Sequence, residues 1–391
     1  MPTADNPAWP AGQCLADVLV VGGGVMGLWA AVEAARRGLT VLLCEAGRTG
    51  GAASNGLVGV LMPHRPDKWN QKKQFQLEAL VALEDEVRAL EAETGLSAGY
   101  RRCGRLIPLP KPHLRDIALR HSADAEAHWR HGDRQFHWLV ADKPPVEGWV
   151  EAGAGVHGFV HDTLAARADP RRVTALLRAW LDRQQKVTIL EGTAVTALDP
   201  ARGVALLDNG QAVSFGHAVV AAGHRAFPIL ADLSAGLERP LGQPVKGQSA
   251  LLKAGIDPAL PVIFLNGLYI VPHESGDVAI GSTSEERFED AAACDGQLDA
   301  LIGRAREIVP ALAGAPVVER WAGLRPKAVG RDPMVGPHPQ HPRIIALAGG
   351  FKVSFTLAHL LAKAALAAVE GRPMAVPESF TLASHIALAQ T

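Results

Sequence analysis

Cysteine is scarce in this chain, with four in 391 residues, and Cys14, Cys44, Cys103 and Cys294 stand far apart. No CxxC pair of metal-binding type and no disulfide-scaffold density arises from them, which suits a reducing compartment and leads to the expectation of a cytoplasmic protein. Charge of either sign is not in excess: Lys plus Arg number 39 against 40 Asp plus Glu. That balance excludes an overall electrostatic draw to nucleic acid or anionic lipid, so a small molecule is the expected partner. No export signal is expected either, because no basic stretch precedes the first apolar run and no small-residue cleavage site follows one; the start, MPTADNPAWPAGQCLADVLVV, reads as a short tail entering a strand. The one long apolar segment, Phe351 to Val369, is interrupted by Lys352, His359 and Lys363, which argues for burial against the protein's own sheet and no membrane span. Neither a GxSxG elbow nor a GxxxxGK[ST] loop is present.

What the chain does have is a core's worth of apolar residues, 48% of the total, more than one compact core usually organises, so two intertwined domains are expected. Asp17 to Val21 reads as a strand, Gly22 to Gly38 as a glycine-opened helix and Thr40 to Cys44 as a second strand, a complete βαβ start. From Lys68 to Thr94 apolar residues recur at helical spacing, with Gly95 closing the run. Asp169 and Pro170 supply an N-cap and a first-turn proline for a helix reaching Gln185. Val187 to Leu190 returns as a strand, Asp208-Asn209-Gly210 has hairpin-turn chemistry, and Ala218 to Ala222 is a further strand. Two stretches, Tyr100 to Trp149 and Pro228 to Arg320, read as excursions into a second domain. The first is weakly periodic. The second has strand-like runs at Gln248 to Leu252, Leu268 to Val271 and Val278 to Gly281, and a helix with Leu298, Leu301, Ile302, Ala305 and Ile308 inward. Ile344 to Ala348 then leads into a last helix closed by Gly371 and Pro373.

The run Gly22-Gly23-Gly24-Val25-Met26-Gly27 fits GxGxxG directly after a strand and at the opening of a helix. There the first glycine permits the turn, Gly24 lets backbone approach a pyrophosphate, and Gly27 allows close helix packing, while the helix N-terminus offers N–H groups to the anion. Glu45, at the end of the second strand, is placed to accept hydrogen bonds from a ribose. The pattern does not separate NAD from FAD.

Longer blocks do. RTGGAASNGLVG (Arg48 to Gly59), HAVVAAG (His217 to Gly223), GLYIVPHESGDVAIGSTSE (Gly267 to Glu285), WAGLRPKAVGRDPMVGP (Trp321 to Pro337) and ALAGGFKVSFTLA (Ala346 to Ala358) together resemble the family of D-amino-acid, glycine and sarcosine oxidases, in family order over nearly the full length. The resemblance implies noncovalent FAD, since the family's cysteine attachment position falls in the Trp321 to Lys327 block, where this chain has none. It implies cofactor contacts from Val25, Met26, Ala46, Arg48, Ala53, Ser54, Gly223, Arg325, Gly350, Phe351, Lys352, Val353 and Ser354 in addition to Gly22, Gly24, Gly27 and Glu45. The last helix would start under the isoalloxazine.

Arg325 matches the family position whose guanidinium clamps the substrate carboxylate, and its planar fork suits that task. Tyr269, one of only two tyrosines, matches a family hydroxyl that helps hold the same group, with a core strand aromatic as the competing reading. Lys352 departs from the arginine usual in glycine oxidases, and three roles stay open: pairing with an anion, assisting oxygen reduction, or pointing to water. His64 lies on the loop expected near the reactive edge, either functional or simply exposed. His128, His131, His338 and His341 have loose metal-like spacing without accompanying carboxylate or cysteine ligands, so no metal is assigned.

The reading is an α/β fold with a Rossmann-like, discontinuous FAD-binding domain over residues 1–92, 150–228 and 322–391. A second domain, a mixed and mostly antiparallel sheet over 93–149 and 229–321, would face the substrate. The expected activity is oxidation of the C–N bond of a small amino acid or secondary amine by hydride transfer to flavin N5, giving an imine that hydrolyses, with oxygen or an electron carrier as acceptor and no protein base required. Alternatives are a 2-hydroxy-acid or glycerol-phosphate type dehydrogenase, an FAD enzyme acting on modified tRNA, which the absence of a basic stripe disfavours, and a non-catalytic FAD-binding protein.

Overall fold

The computed structural model describes residues 14–391, so the reading of the chain's start as a tail falls on residues outside the described ones. One sheet of eight strands carries the βαβ start. Its main path runs Val187–Glu191, Val41–Glu45, Cys14–Val21, Ala212–Val220, Val204–Leu207, Val195–Asp199. The first four strands are parallel, the last two turn back antiparallel, and Ile344–Ala348 pairs parallel with the far end of Ala212–Val220. A parallel sheet must be covered on both faces, and the alternation obeys this. Val18 and Val20 pack with the helical layer formed by α1 (Val25–Arg36), α2 (Gln71–Thr94), α4 (Pro170–Leu181) and α7 (Ser354–Val369), whereas Leu19 and Val21 enter a separate core with Phe227 of α5 (Ala226–Asp232), Ile344 and Leu382.

Helix ends follow local chemistry. In α2 the Asn70 side chain accepts from the Lys72 and Lys73 N–H groups, so the helix begins at Gln71 and not at Lys68 as the periodicity suggests, and Gly95 closes it in a left-handed conformation. Asp169 caps α4 with Pro170 in the first turn, as expected. That helix stops at Leu181, short of Gln185, because the Arg183 and Gln184 N–H groups shift to acceptors three residues back.

The second sheet, also of eight strands, runs Val317–Ala328, Gly242–Lys253, Asp277–Gly281, Leu268–Pro272, Val262–Leu265, Arg105–Pro108, Phe159–Asp162, Trp138–Ala141. All neighbours are antiparallel except Val262–Leu265 against Arg105–Pro108. Phe159–Asp162, within the 150–228 segment, and Val317–Ala328, which crosses residue 321, are both strands of this sheet. Helix α6 (Gly296–Ile308) covers one face through Leu298, Ile302, Ala305 and Ile308. The other face meets Leu57, Val58 and Val60 from the loop after the βαβ start. A helix not expected from sequence, α3 (Pro112–His128), lies in the weakly periodic stretch; it buries only Ala118, His121 and Ala125, too few to leave an apolar stripe.

His359 of α7 is wholly buried beside Trp29, its two ring nitrogens without partners, and burial pushes its pKa down to about 3. The folded state therefore holds it neutral while the unfolded chain protonates it near its ordinary value of roughly 6.5. Stability should fall as pH drops below that value, by up to about 1.4 kcal/mol per pH unit from this one group. Urea unfolding at pH 7 and pH 5 should show the loss, and His359→Leu should make the acid slope shallower; an unchanged slope would disprove the assignment.

Candidate active site

The turn between Cys14–Val21 and α1 is set by backbone proximity. Gly22 has φ +106°, and a Cβ there would lie 2.7 Å from the Ala221 carbonyl oxygen on the adjacent strand. A Cβ on Gly27 would fall 1.9 Å from the Gly22 oxygen, so only glycine allows α1 to cross its strand this closely. Gly24 faces space, with only Ser54 Oγ near, 3.3 Å from where a Cβ would stand. Ser54 Oγ accepts from the Val25 N–H at 3.0 Å. Glu45 accepts from the Gly23 N–H at 2.7 Å and the Gly47 N–H at 2.8 Å, which locks the turn to the second strand while leaving carboxylate lone pairs for a further donor. Ala46 and Arg48 are exposed along the loop rim, Ala53 opens the short helical turn that contains Ser54, and Gly223 has open space where a side chain would be.

A second helix N-terminus converges on the first. A Cβ on Gly350 would lie 2.3 Å from Met26 Cε of α1 and 2.5 Å from Ser354 Oγ, so the two helix ends come this close only because Gly350 has no side chain. Val353 is the N-cap of α7. Phe351, at φ +44°, donates its N–H to the Pro326 carbonyl at 3.1 Å, and the Arg325 guanidinium carbon and the Lys352 ammonium each lie 5.5 Å from its ring centroid. Lys352 is exposed, and the surroundings of its ammonium together with Arg325 lower its pKa.

Arg325 comes from the second sheet. It pairs with Val245, Trp321 pairs with Ser249, Ser249 with Gly281, and Gly281 with Tyr269. Opposed residues and alternate residues share a face, so Arg325, Trp321 and Tyr269 all project from the face that meets the loop of Leu57 and Val58. The guanidinium donates to Ser282 Oγ at 2.9 Å, the Lys246 carbonyl at 3.2 Å and the Thr283 carbonyl. Its Nε is shut off from solvent with no partner, a donor awaiting an acceptor. Gly247 makes room for it: a Cβ there would lie 2.2 Å from Arg325 Nη2. Burial raises the Tyr269 pKa against the opposing charges of Arg105 and Arg325, keeping its hydroxyl a proton donor. His64 is placed on the rim beside Gln76, whose Oε1 accepts its backbone N–H at 2.6 Å; crowding around the ring and the Lys73 charge lower its pKa, so it is neutral at pH 7.

Sequence reasoning passed over Ser282, Thr283, Gly247 and Arg105. Gly247 and the 282–283 pair become visible only through strand register, and Arg105 stands in a segment without periodicity. Among the described residues no group of three or more His, Cys, Asp or Glu side chains is placed to hold a metal, and no helix is long and apolar enough to cross a membrane. His338 instead hydrogen-bonds Ser234 Oγ at 2.9 Å.

A phosphate-seeking helix opening, a second helix end beside it and a cationic fork from a second sheet define the class: a dinucleotide-dependent oxidoreductase built on two sheets. The model of the family described as FAD dependent oxidoreductase matches residues 17–368, and the chain belongs to that family. It is similar to the glycine oxidase of Pseudomonas aeruginosa, 31% identical over 82% of this chain and 86% of the relative, and to that of Pseudomonas putida, 29% identical over 87% and 91%. The crystal structure of glycine oxidase from Geobacillus kaustophilus has the same fold, with a TM-score of 0.82 at 24% identity over 95% of this chain and 99% of that one. An iminodiacetate oxidase from a Chelativorans species superposes with a TM-score of 0.78 at 24% identity, over 93% and 98%. The protein is thus an FAD-dependent oxidoreductase of glycine oxidase type, and the open space beside Gly24 and Ser54 at the opening of α1 fits the cofactor.

Gly24→Val should fold, with an unchanged far-ultraviolet circular dichroism spectrum, yet purify without flavin absorbance, because the new side chain fills the approach beside Ser54. Retention of stoichiometric flavin would contradict this geometry.

Proposed function

We propose that the protein oxidises the C–N bond of a small amino acid or secondary amine whose carboxylate is held by Arg325. The observation that carries the reading is the half-buried Arg325, fixed by Ser282, Lys246 and Thr283, with an unpartnered Nε on the sheet face above the two converging helix ends. FAD, when bound, supplies the hydride acceptor. The guanidinium anchors the carboxylate by charge-assisted hydrogen bonds, so the carbon next to it has one orientation relative to the cofactor cradle. Tyr269, on the same face and protonated, donates a further hydrogen bond to that carboxylate. Lys352 adds positive charge beyond Phe351. No described side chain near Arg325 is needed as a base, since a neutral amine loses hydride from carbon and the resulting imine is hydrolysed by water. The glycine oxidase relatives support the amine donor over a hydroxy acid.

The test is an anaerobic screen of amino acids, N-methyl amino acids and hydroxy acids for loss of flavin absorbance, followed by admission of air. Amines should bleach the flavin and hydroxy acids should not; the reverse pattern would overturn the reading. Rapid return of colour in air identifies oxygen as the acceptor. Arg325→Ala should keep its flavin and lose roughly 100-fold or more in kcat/KM on carboxylated amines, as expected when charge-assisted hydrogen bonds are removed.

A further inference from the structure

Beyond Tyr269 on the same sheet face, a second group of buried donors has no acceptor: Arg105 Nη2, Trp129 Nε1 and Trp138 Nε1. Arg105 is 5% exposed and its Nε donates to Asp162, which is fully buried and also takes the Ala165 N–H at 2.8 Å. The guanidinium carbon lies 5.6 Å from the Trp138 ring centroid, and Trp129 packs against Trp138 with centroids 5.8 Å apart. On the outer edge of the fork, Nη1 meets only the thioether of Met62 at 3.3 Å. A thioether is a weak acceptor on a flexible side chain, which an incoming oxygen displaces readily. Buried polar groups are almost always paired, so three unmet donors gathered in one wall point to an acceptor that arrives with a ligand.

Strand register puts this wall in line with the site above. Arg105 pairs with Val262 and with Asp162, and Asp162 pairs with Trp138, so all share the face on which Val262, Val271 and Tyr269 cluster. Tyr269 lies within electrostatic reach of both Arg105 and Arg325. We propose that Arg105, with the indole N–H groups of Trp129 and Trp138, forms a second carboxylate subsite, and that the preferred substrate is an amino acid or secondary amine bearing two carboxylates. The proposal rests on the assignment of Arg325 to the first. The free Nη1/Nη2 edge of Arg105 offers the parallel pair of N–H groups that a carboxylate takes bidentately. Because Asp162 already balances the arginine's charge, the subsite selects by hydrogen-bond geometry, and a free anion without the amine-bearing half gains only part of the binding.

The test uses the FAD-loaded full-length protein. Anaerobic flavin reduction is compared for monocarboxylic amines (glycine, N-methylglycine, D-alanine), dicarboxylic ones (iminodiacetate, D-aspartate) and the amide D-asparagine, and flavin spectral titration compares succinate with acetate. Dicarboxylic substrates should have kcat/KM at least tenfold above their monocarboxylic and amide counterparts, and succinate should bind more tightly than acetate. Trp138→Phe, which removes the unmet N–H together with part of the buried ring system, should lower the Tm of the substrate-free protein while the fold is kept, and should lower the dicarboxylic preference several-fold. Arg105→Lys, which keeps a cation for Asp162, should lower it at least tenfold. If monocarboxylic amines reduce the flavin as fast as dicarboxylic ones, or neither variant changes the ratio, the subsite is refuted while the Arg325 reading stands. If no amine bleaches the flavin, the oxidation reading fails, and succinate binding no more tightly than acetate then refutes the subsite as well.

Discussion

The contact between the first turn of α1 and the end of the strand beneath it governs the rest of the molecule. With Gly27 pressed on the Gly22 carbonyl, the helix cannot slide or tilt, and its N-terminus is aimed at the space beside Ser54. Met26 reaches from that turn to Gly350, so the position of α7 is fixed against the same point. The anion-binding potential of one helix opening and the close approach of the other are thus one arrangement, held by backbone that has no room for a Cβ.

The parts read correctly from sequence are those where a local rule decides the outcome. The βαβ start is visible because glycine spacing, strand composition and the Glu45 carboxylate all act within one short segment. Asp169 and Pro170 announce α4 for the same reason. The second sheet emerged as mostly antiparallel, as expected, and Arg325, singled out through its block of neighbours, stands on one of its strands.

What escaped depends on register between distant segments. The strand Gly242–Lys253 is longer than its apolar core, because Lys246 and Gln248 are buried in it and Pro244 lies within it, none of which reads as strand. Lys246 lies 3.8 Å from Glu285, and Gln248 Nε2 donates to the same carboxylate at 3.0 Å, so partners far along the chain make their burial tolerable. Helix α3 is concealed by its exposure. Arg105 acquires meaning only when Val262–Leu265 is laid parallel to it, a pairing no local pattern announces.

The strand that carries Arg325 is joined directly to the start of α7: Lys327 bridges to Gly350, and Phe351 bonds to Pro326. The spacing between Arg325 and the opening of α7 is therefore a property of two adjacent backbones and not of how the two layers happen to be hinged. A relative motion of the two layers would leave that separation unaltered.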